Sequence, residues 1–175
     1  LLYGLIRLLL PFPMSSYDSF VCRSTGSSAD AVQFFTISVL FRHFMCLLYN
    51  TFTFELLDEG LEILGCPEQF ANKDNLTYRA FEEGARYVGL DYKGLRITNE
   101  GDVPYTRGLG SSSTCIVAGI VGAFAFKNRY EERQNILELA TKIEGHPDNV
   151  APAIFGGLTV SVMEEHKVTT LSIPV

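Results

Sequence analysis

Pro104-Tyr105-Thr106-Arg107-Gly108-Leu109-Gly110-Ser111-Ser112-Ser113-Thr114 runs without a break into an apolar segment over residues 115–126. That segment has no charged or amide side chain on any side, so a helix there must be enclosed all round and form the centre of the core. The glycines flanking Leu109 allow a tight turn and a close approach of backbone to a ligand, and the hydroxyl run offers cap residues for the helix. N–H groups at the helix start then face outward with the positive end of the dipole, where a phosphate binds most favourably. The loop is not of the Walker type, which requires a lysine absent here. A serine-rich turn that only caps a buried helix fits the same residues, and this stretch alone does not separate the two readings.

Upstream, residues 50–57 alternate, with Phe52, Phe54 and Leu56 on one face, which predicts a half-buried strand turned by Asp58-Glu59-Gly60. Leu76, Tyr78, Ala80, Phe81, Ala85 and Val88 recur at helical spacing, with Asp74 as N-cap and Gly89 as stop. A short strand over residues 94–98 leads through the acidic turn Asn99-Glu100-Gly101-Asp102 into the glycine loop. Downstream, residues 131–144 form an amphipathic helix buried through Ile136, Ala140 and Ile143. Residues 157–163 and 167–173 read as strands joined at Glu164-Glu165-His166. Strands interspersed with helices make an α/β or α+β domain.

With 175 residues, 47% hydrophobic and 19% charged, the chain is long enough for one globular domain. Its formal charge of −6 argues against a nucleic-acid partner, which surplus Lys and Arg would bind. Cys22, Cys46, Cys66 and Cys115 are spaced too widely for a zinc pattern and read as small buried hydrophobes of a reducing cytoplasm. The apolar run 1–13 is broken by Arg7, Pro11 and Pro13, and the run 31–48 contains Gln33, Arg42 and His43, so no membrane partner is expected.

A second informative run is Glu144-Gly145-His146-Pro147-Asp148-Asn149-Val150-Ala151-Pro152, trailed by Ala153-Ile154-Phe155-Gly156-Gly157. Together with the glycine-serine loop it resembles the phosphate loop and following motif of the GHMP kinases, and within them the homoserine kinases rather than the mevalonate or galactose kinases. The resemblance extends from about Tyr49 to the C-terminus. It implies a ribosomal-protein-like two-layer α/β domain, the N-terminal domain of such kinases. It also implies ATP and Mg²⁺ as cofactors, L-homoserine as the small-molecule substrate, a cytoplasmic location and a place in threonine biosynthesis.

On that resemblance Pro104, Arg107, Gly108, Leu109, Gly110, Ser111, Ser112 and Ser113 are expected to bind the nucleotide, mostly through backbone N–H groups. Asn75 stands where the family reads the adenine edge, although a helix cap accounts for it nearly as well. Ser112 and Glu144 are the expected magnesium ligands; a carboxylate at a helix C-terminus costs about 0.3–1 kcal/mol unless compensated. Asn149 occupies a position held by a catalytic aspartate in mevalonate-type relatives. An amide is no strong base, so Asn149 and Ser112 would act by orientation and charge stabilisation. His146 and Asp148 are assigned to the substrate, although Asp148 reads first as a structural turn residue.

The resemblance starts abruptly, dividing the chain into an unrelated apolar segment, residues 1–48, and a nucleotide-binding domain, residues 49–175. A shifted reading frame, a fusion or a divergent N-terminus would each leave such a switch, and the shifted frame is favoured. The family's N-terminal substrate segment and C-terminal half have no counterpart, so the chain is expected to be a fragment. Two further readings stay open: an inactive fragment that binds at most Mg-ATP, with a homodimer formed through the face its missing half would cover, and a related kinase with another alcohol acceptor.

Overall fold

The computed structural model describes residues 20–24, 34–43, 46–101, 110–164 and 167–173, with side chains described from Asn50 onward. Strands β1 (Phe20–Ser24), β2 (Phe34–His43), β3 (Cys46–Leu57), β4 (Gly60–Leu64) and β5 (Gly94–Gly101) form one sheet in the order β1-β2-β3-β5-β4. All neighbours are antiparallel except β4 and β5, which are parallel because helix α1 (Leu76–Val88) crosses between them. Helices α2 (Ser111–Ala125), α3 (Arg133–Glu144) and α4 (Val150–Phe155) follow, and then a separate hairpin, β6 (Leu158–Glu164) with β7 (Lys167–Ile173). The result is the mixed α/β fold expected from the sequence.

Period two decides which face of the sheet is covered. Phe52 and Phe54 on β3 and Leu95 and Ile97 on β5 are fully buried toward the helices. On the opposite face the register sets Glu55 beside Arg96 and Glu62 beside Arg96. Arg96 bonds Glu55 at 2.6 Å and Glu62 at 2.7 Å, pinning three strands in register. The Arg96 hydrogen bond holds the Glu62 carboxyl below the usual range.

Helix α2 is the centre of the core, as its composition requires: Ile116, Val117, Ile120, Val121 and Phe124 are all essentially inaccessible. Each such side chain contributes about 1.5–3 kcal/mol through burial. It packs on α1 so closely that a Cβ at Gly119 would lie 2.3 Å from the Thr77 carbonyl oxygen, a distance only glycine avoids. Phe81 of α1 stacks on Phe54 with centroids 5.5 Å apart and meets Tyr92 edge-on at 5.4 Å, joining helix layer to sheet.

Several expected boundaries move. The N-cap of α1 is Asn75, not Asp74: Asn75 Oδ1 accepts from the N–H of Thr77 at 2.9 Å and of Tyr78 at 3.2 Å. Gly89 closes that helix in the left-handed region, φ 65°, as expected. Strand β5 continues through Asn99, Glu100 and Gly101, expected as a turn, because β3 extends far enough to pair with them. The parallel strand β4 and the short helix α4 were not anticipated. In α3, Leu137 and Thr141 join Ile136 and Ala140 in the buried stripe, while Ile143 is only half-buried. Strand β3 begins at Cys46, so the sequence change at residue 49 falls inside a strand. Among the described residues no helix is long and apolar enough to cross a membrane.

Candidate active site

The N-terminus of α2 is assembled differently from the expectation that its serines cap it. The N-cap is Gly110, in the left-handed region at φ 72°, which has no side chain to offer. Ser111 is already helical, and Thr114 turns its hydroxyl back onto the Gly110 carbonyl at 2.9 Å. No cap side chain therefore competes for the N–H groups of the first turn. The serine hydroxyls are used elsewhere: Ser112 Oγ and Ser113 Oγ both donate to Glu144 Oε1, each at 3.0 Å.

Glu144 is the last residue of α3, and Gly145 closes that helix in the left-handed region. A carboxylate opposes the dipole of its own helix there. Two hydroxyl donors and the positive end of α2 compensate it. Sequence alone could assign Glu144 a compensating cation; the fold already supplies α2. The result is a carboxylate and a serine hydroxyl converging at the mouth of a helix N-terminus. Such hard oxygen donors fit a magnesium ion that also binds phosphate oxygens. Among the described residues no cluster of three or more His, Cys, Asp or Glu forms an alternative metal centre.

Beside this pair opens a cavity of about 420 Å³, the size of a small-ligand pocket. Its walls are Phe52, Ile63, Phe70, Leu76 and Ile97, with polar groups from Asn75, Thr77, Asn99, Ser111, Ser112 and Asn149. Cys66 and Cys115 also line it, and burial pushes both thiols above their usual range and keeps them neutral. The slot therefore combines a largely apolar, uncharged lining with amide and hydroxyl groups and the start of α2.

The structure thus brings Asn75, Gly110, Ser111, Ser112 and Asn149 to one cavity, and ties Ser112 and Ser113 to Glu144. Asn75 faces the cavity with its amide largely committed, since Nδ2 also donates to the Phe70 carbonyl at 2.9 Å. His146 and Asp148 do not line it: they are exposed side by side, Nδ1 to Oδ2 3.9 Å. Pro104, Arg107, Gly108 and Leu109 lie outside the described residues. Ile63, Phe70 and Thr77 were not singled out from sequence, Cys66 and Cys115 were read only as small buried hydrophobes, and Asn99 only as a turn residue. The alternation of Gly60–Leu64 was the available signal for the first of these. A smaller groove between α1 and α3, about 280 Å³ and lined by Arg79, Glu82, Glu83, Arg86 and Lys142, contains none of the expected residues.

Residues 75–157 match the family described as GHMP kinases N terminal domain. The homoserine kinase of Clostridium beijerinckii is 48% identical over 121 residues, 69% of this chain and 41% of its own length. The chain therefore spans well under half of that relative. Among solved structures, the homoserine kinase of Cytophaga hutchinsonii superposes with a TM-score of 0.60 at 20% identity, covering 96% of this chain and 55% of that one. The L. major mevalonate kinase, in complex with R-mevalonate, superposes with a TM-score of 0.54 at 18% identity, over 80% of this chain and 45% of that one. At these identities the structural likeness speaks for the fold alone.

Proposed function

Because the chain belongs to the GHMP kinases, we propose that its slot binds Mg-ATP and serves phosphorylation of the L-homoserine hydroxyl, giving O-phospho-L-homoserine and ADP on the way to threonine. The observation that carries this reading is the convergence of Ser112 and Glu144 at the uncapped start of α2, beside an apolar slot of nucleotide size.

Phosphoryl transfer asks little covalent work of a protein and much positioning. In this reading the base packs on the apolar side chains of the slot, and the first-turn N–H groups of α2 at Ser111, Ser112 and Ser113 cradle the phosphates. Ser112 Oγ and the Glu144 carboxylate hold magnesium, which when bound neutralises charge on the transferring group. Ser113 shares Glu144 Oε1, so it keeps the carboxylate aimed at Ser112 when the nucleotide is absent. Asn149 orients the acceptor hydroxyl without deprotonating it, so the proton leaves late or to phosphate. His146 and Asp148, neighbours of Asn149 at the open surface, are assigned to the acceptor side. Asn75 contributes at the base end, with Arg107, Pro104, Gly108 and Leu109 completing the loop.

A second reading, a domain that binds Mg-ATP without turning over homoserine, is favoured by one observation. The outer face of the β6–β7 hairpin is apolar and open. ADP release by the purified chain with Mg-ATP, with and without L-homoserine, decides between them. Homoserine-dependent release that drops about 10²-fold in Ser112→Ala is the expected result for the kinase. Nucleotide binding with no homoserine-dependent release would leave the second reading.

A further inference from the structure

The turn between β4 and α1 lies at the surface and is nevertheless held in one shape. Pro67, Glu68, Gln69 and Phe70 are all exposed, yet each of their carbonyls accepts a hydrogen bond from the residues that follow. The N–H of Phe70 donates to the Pro67 carbonyl at 2.8 Å, and that of Ala71 to the Glu68 carbonyl at 3.0 Å. Asn72 Nδ2 donates to the Gln69 carbonyl at 2.8 Å and Asn75 Nδ2 to the Phe70 carbonyl at 2.9 Å. Asn72 Oδ1 in turn accepts from the N–H of Asp74 at 2.8 Å. Water would satisfy exposed carbonyls nearly as well, so the effect of these bonds is to fix the segment rather than to rescue buried groups. Because Asn75 also caps α1, the segment is tied to that helix.

Phe70 is the one large apolar side chain this segment carries. It lines the slot and stays 45% exposed. The other apolar walls are used by the core: Phe52 and Ile97 are fully buried, and Ile63 and Leu76 are partly buried against it. Phe54, Phe81, Tyr92, Tyr87 and Phe124 all meet other rings, whereas Phe70 has no ring partner among the described residues. An aromatic ring on a fixed backbone, open to solvent on the wall of a cavity, is apolar surface left for a ligand.

We propose that Phe70 is the stacking platform for the base of the bound nucleotide. The inference rests on the reading of the slot as a nucleotide site and adds the side chain that holds the base. Every base has a π face, so Phe70 supplies affinity for a planar base without choosing among them. A backbone already fixed before binding reduces the ordering that binding must impose.

The test is equilibrium binding to the full chain, with Mg²⁺, of ATP and of inorganic triphosphate, which keeps the phosphates and lacks the base. Wild type, Phe70→Ala and Phe70→Trp are compared, each first shown by thermal unfolding to be folded. Stacking of a base on an aromatic side chain corresponds to about tenfold in affinity, so Phe70→Ala should weaken ATP by about that factor and leave triphosphate unchanged. Phe70→Trp keeps a stacking ring and should retain the affinity for ATP. The chain has no other tryptophan, so indole fluorescence then reports on this position alone, and ATP should quench it where triphosphate does not. Unchanged ATP binding in Phe70→Ala, equal weakening of ATP and triphosphate, or indole fluorescence that bound ATP leaves unquenched would overturn the assignment while leaving the slot a nucleotide site. A wild-type chain that binds neither ligand overturns both.

Discussion

Helix α2 and the β6–β7 hairpin are both rich in aliphatic side chains, and the chain uses them in opposite ways. In α2 every apolar residue from Ile116 to Phe124 is buried, and the polar ones, Ser112 and Ser113, gather at one end where they meet Glu144. In the hairpin the polar face turns inward: Ser161 and Thr170 bond each other at 2.8 Å, and Ser172 donates to the Gly156 carbonyl at 2.9 Å. The apolar face turns out, leaving Leu158 at 55%, Val160 at 55%, Val162 at 57% and Leu171 at 63% exposure. Alternation in a strand fixes that two faces differ, not which one finds a core. A helix apolar all round leaves no such choice.

The comparison can be broken first by truncation. Phe81→Ala, in the helix layer against Phe54 and Tyr92, is expected to cost about 3–5 kcal/mol in urea unfolding. Leu171→Ala on the hairpin should stay within about 0.5 kcal/mol. Comparable losses at both sites would mean that the hairpin face is covered in solution.

Matched chemistry sharpens the contrast. Val121→Thr buries a hydroxyl in a wholly apolar setting and is expected to cost about 1–3 kcal/mol. Val160→Thr, the same change on the open face, should be within about 0.5 kcal/mol and should reduce self-association measured by light scattering. A costly Val160→Thr would show that the two regions are alike after all.

A smaller effect separates neighbouring cap candidates. Asn75→Ala removes the acceptor for two N–H groups of α1 and is expected to cost about 1 kcal/mol, while Asp74→Ala should leave thermal stability unchanged. The smallest effect is electrostatic. The hydrogen bond from Arg96 lowers the Glu62 pKa, and the one from Arg129 lowers that of Glu132. A depressed carboxyl contributes stability above its unfolded pKa and loses it as pH falls through the folded one. Urea midpoints should therefore be flat near neutrality and decline below about 4.5, the ordinary glutamate value. Both groups are exposed, so the decline is slight, and Arg96→Gln should flatten Glu62's share of it.

Much of this was legible in the residues. The closed composition of 115–126 announced the central helix, which the structure places at the centre of the core. Asp74 and Asn75 were both cap candidates for α1, equally competent by type, and only the geometry at Thr77 and Tyr78 chooses Asn75. Strand β4 was missed because its support is a parallel partner on the far side of α1, a non-local pairing that five residues cannot signal. For the same reason Cys66, Phe70 and Asn99 were not expected to line the slot: they reach it from the end of β4, the following turn and the extension of β5, by packing rather than by motif. Ser112 and Glu144, by contrast, could be paired from the family resemblance before any distance was known.

The central claim is that the start of α2 and the end of α3 together form a metal-nucleotide site. Titration of the chain with ATP, with and without Mg²⁺, in wild type and in Glu144→Gln tests it most directly. The account predicts tighter binding of Mg-ATP than of metal-free ATP in wild type, and loss of that difference in Glu144→Gln while metal-free ATP still binds. Binding that ignores magnesium in wild type, or a magnesium preference that survives in Glu144→Gln, would contradict it.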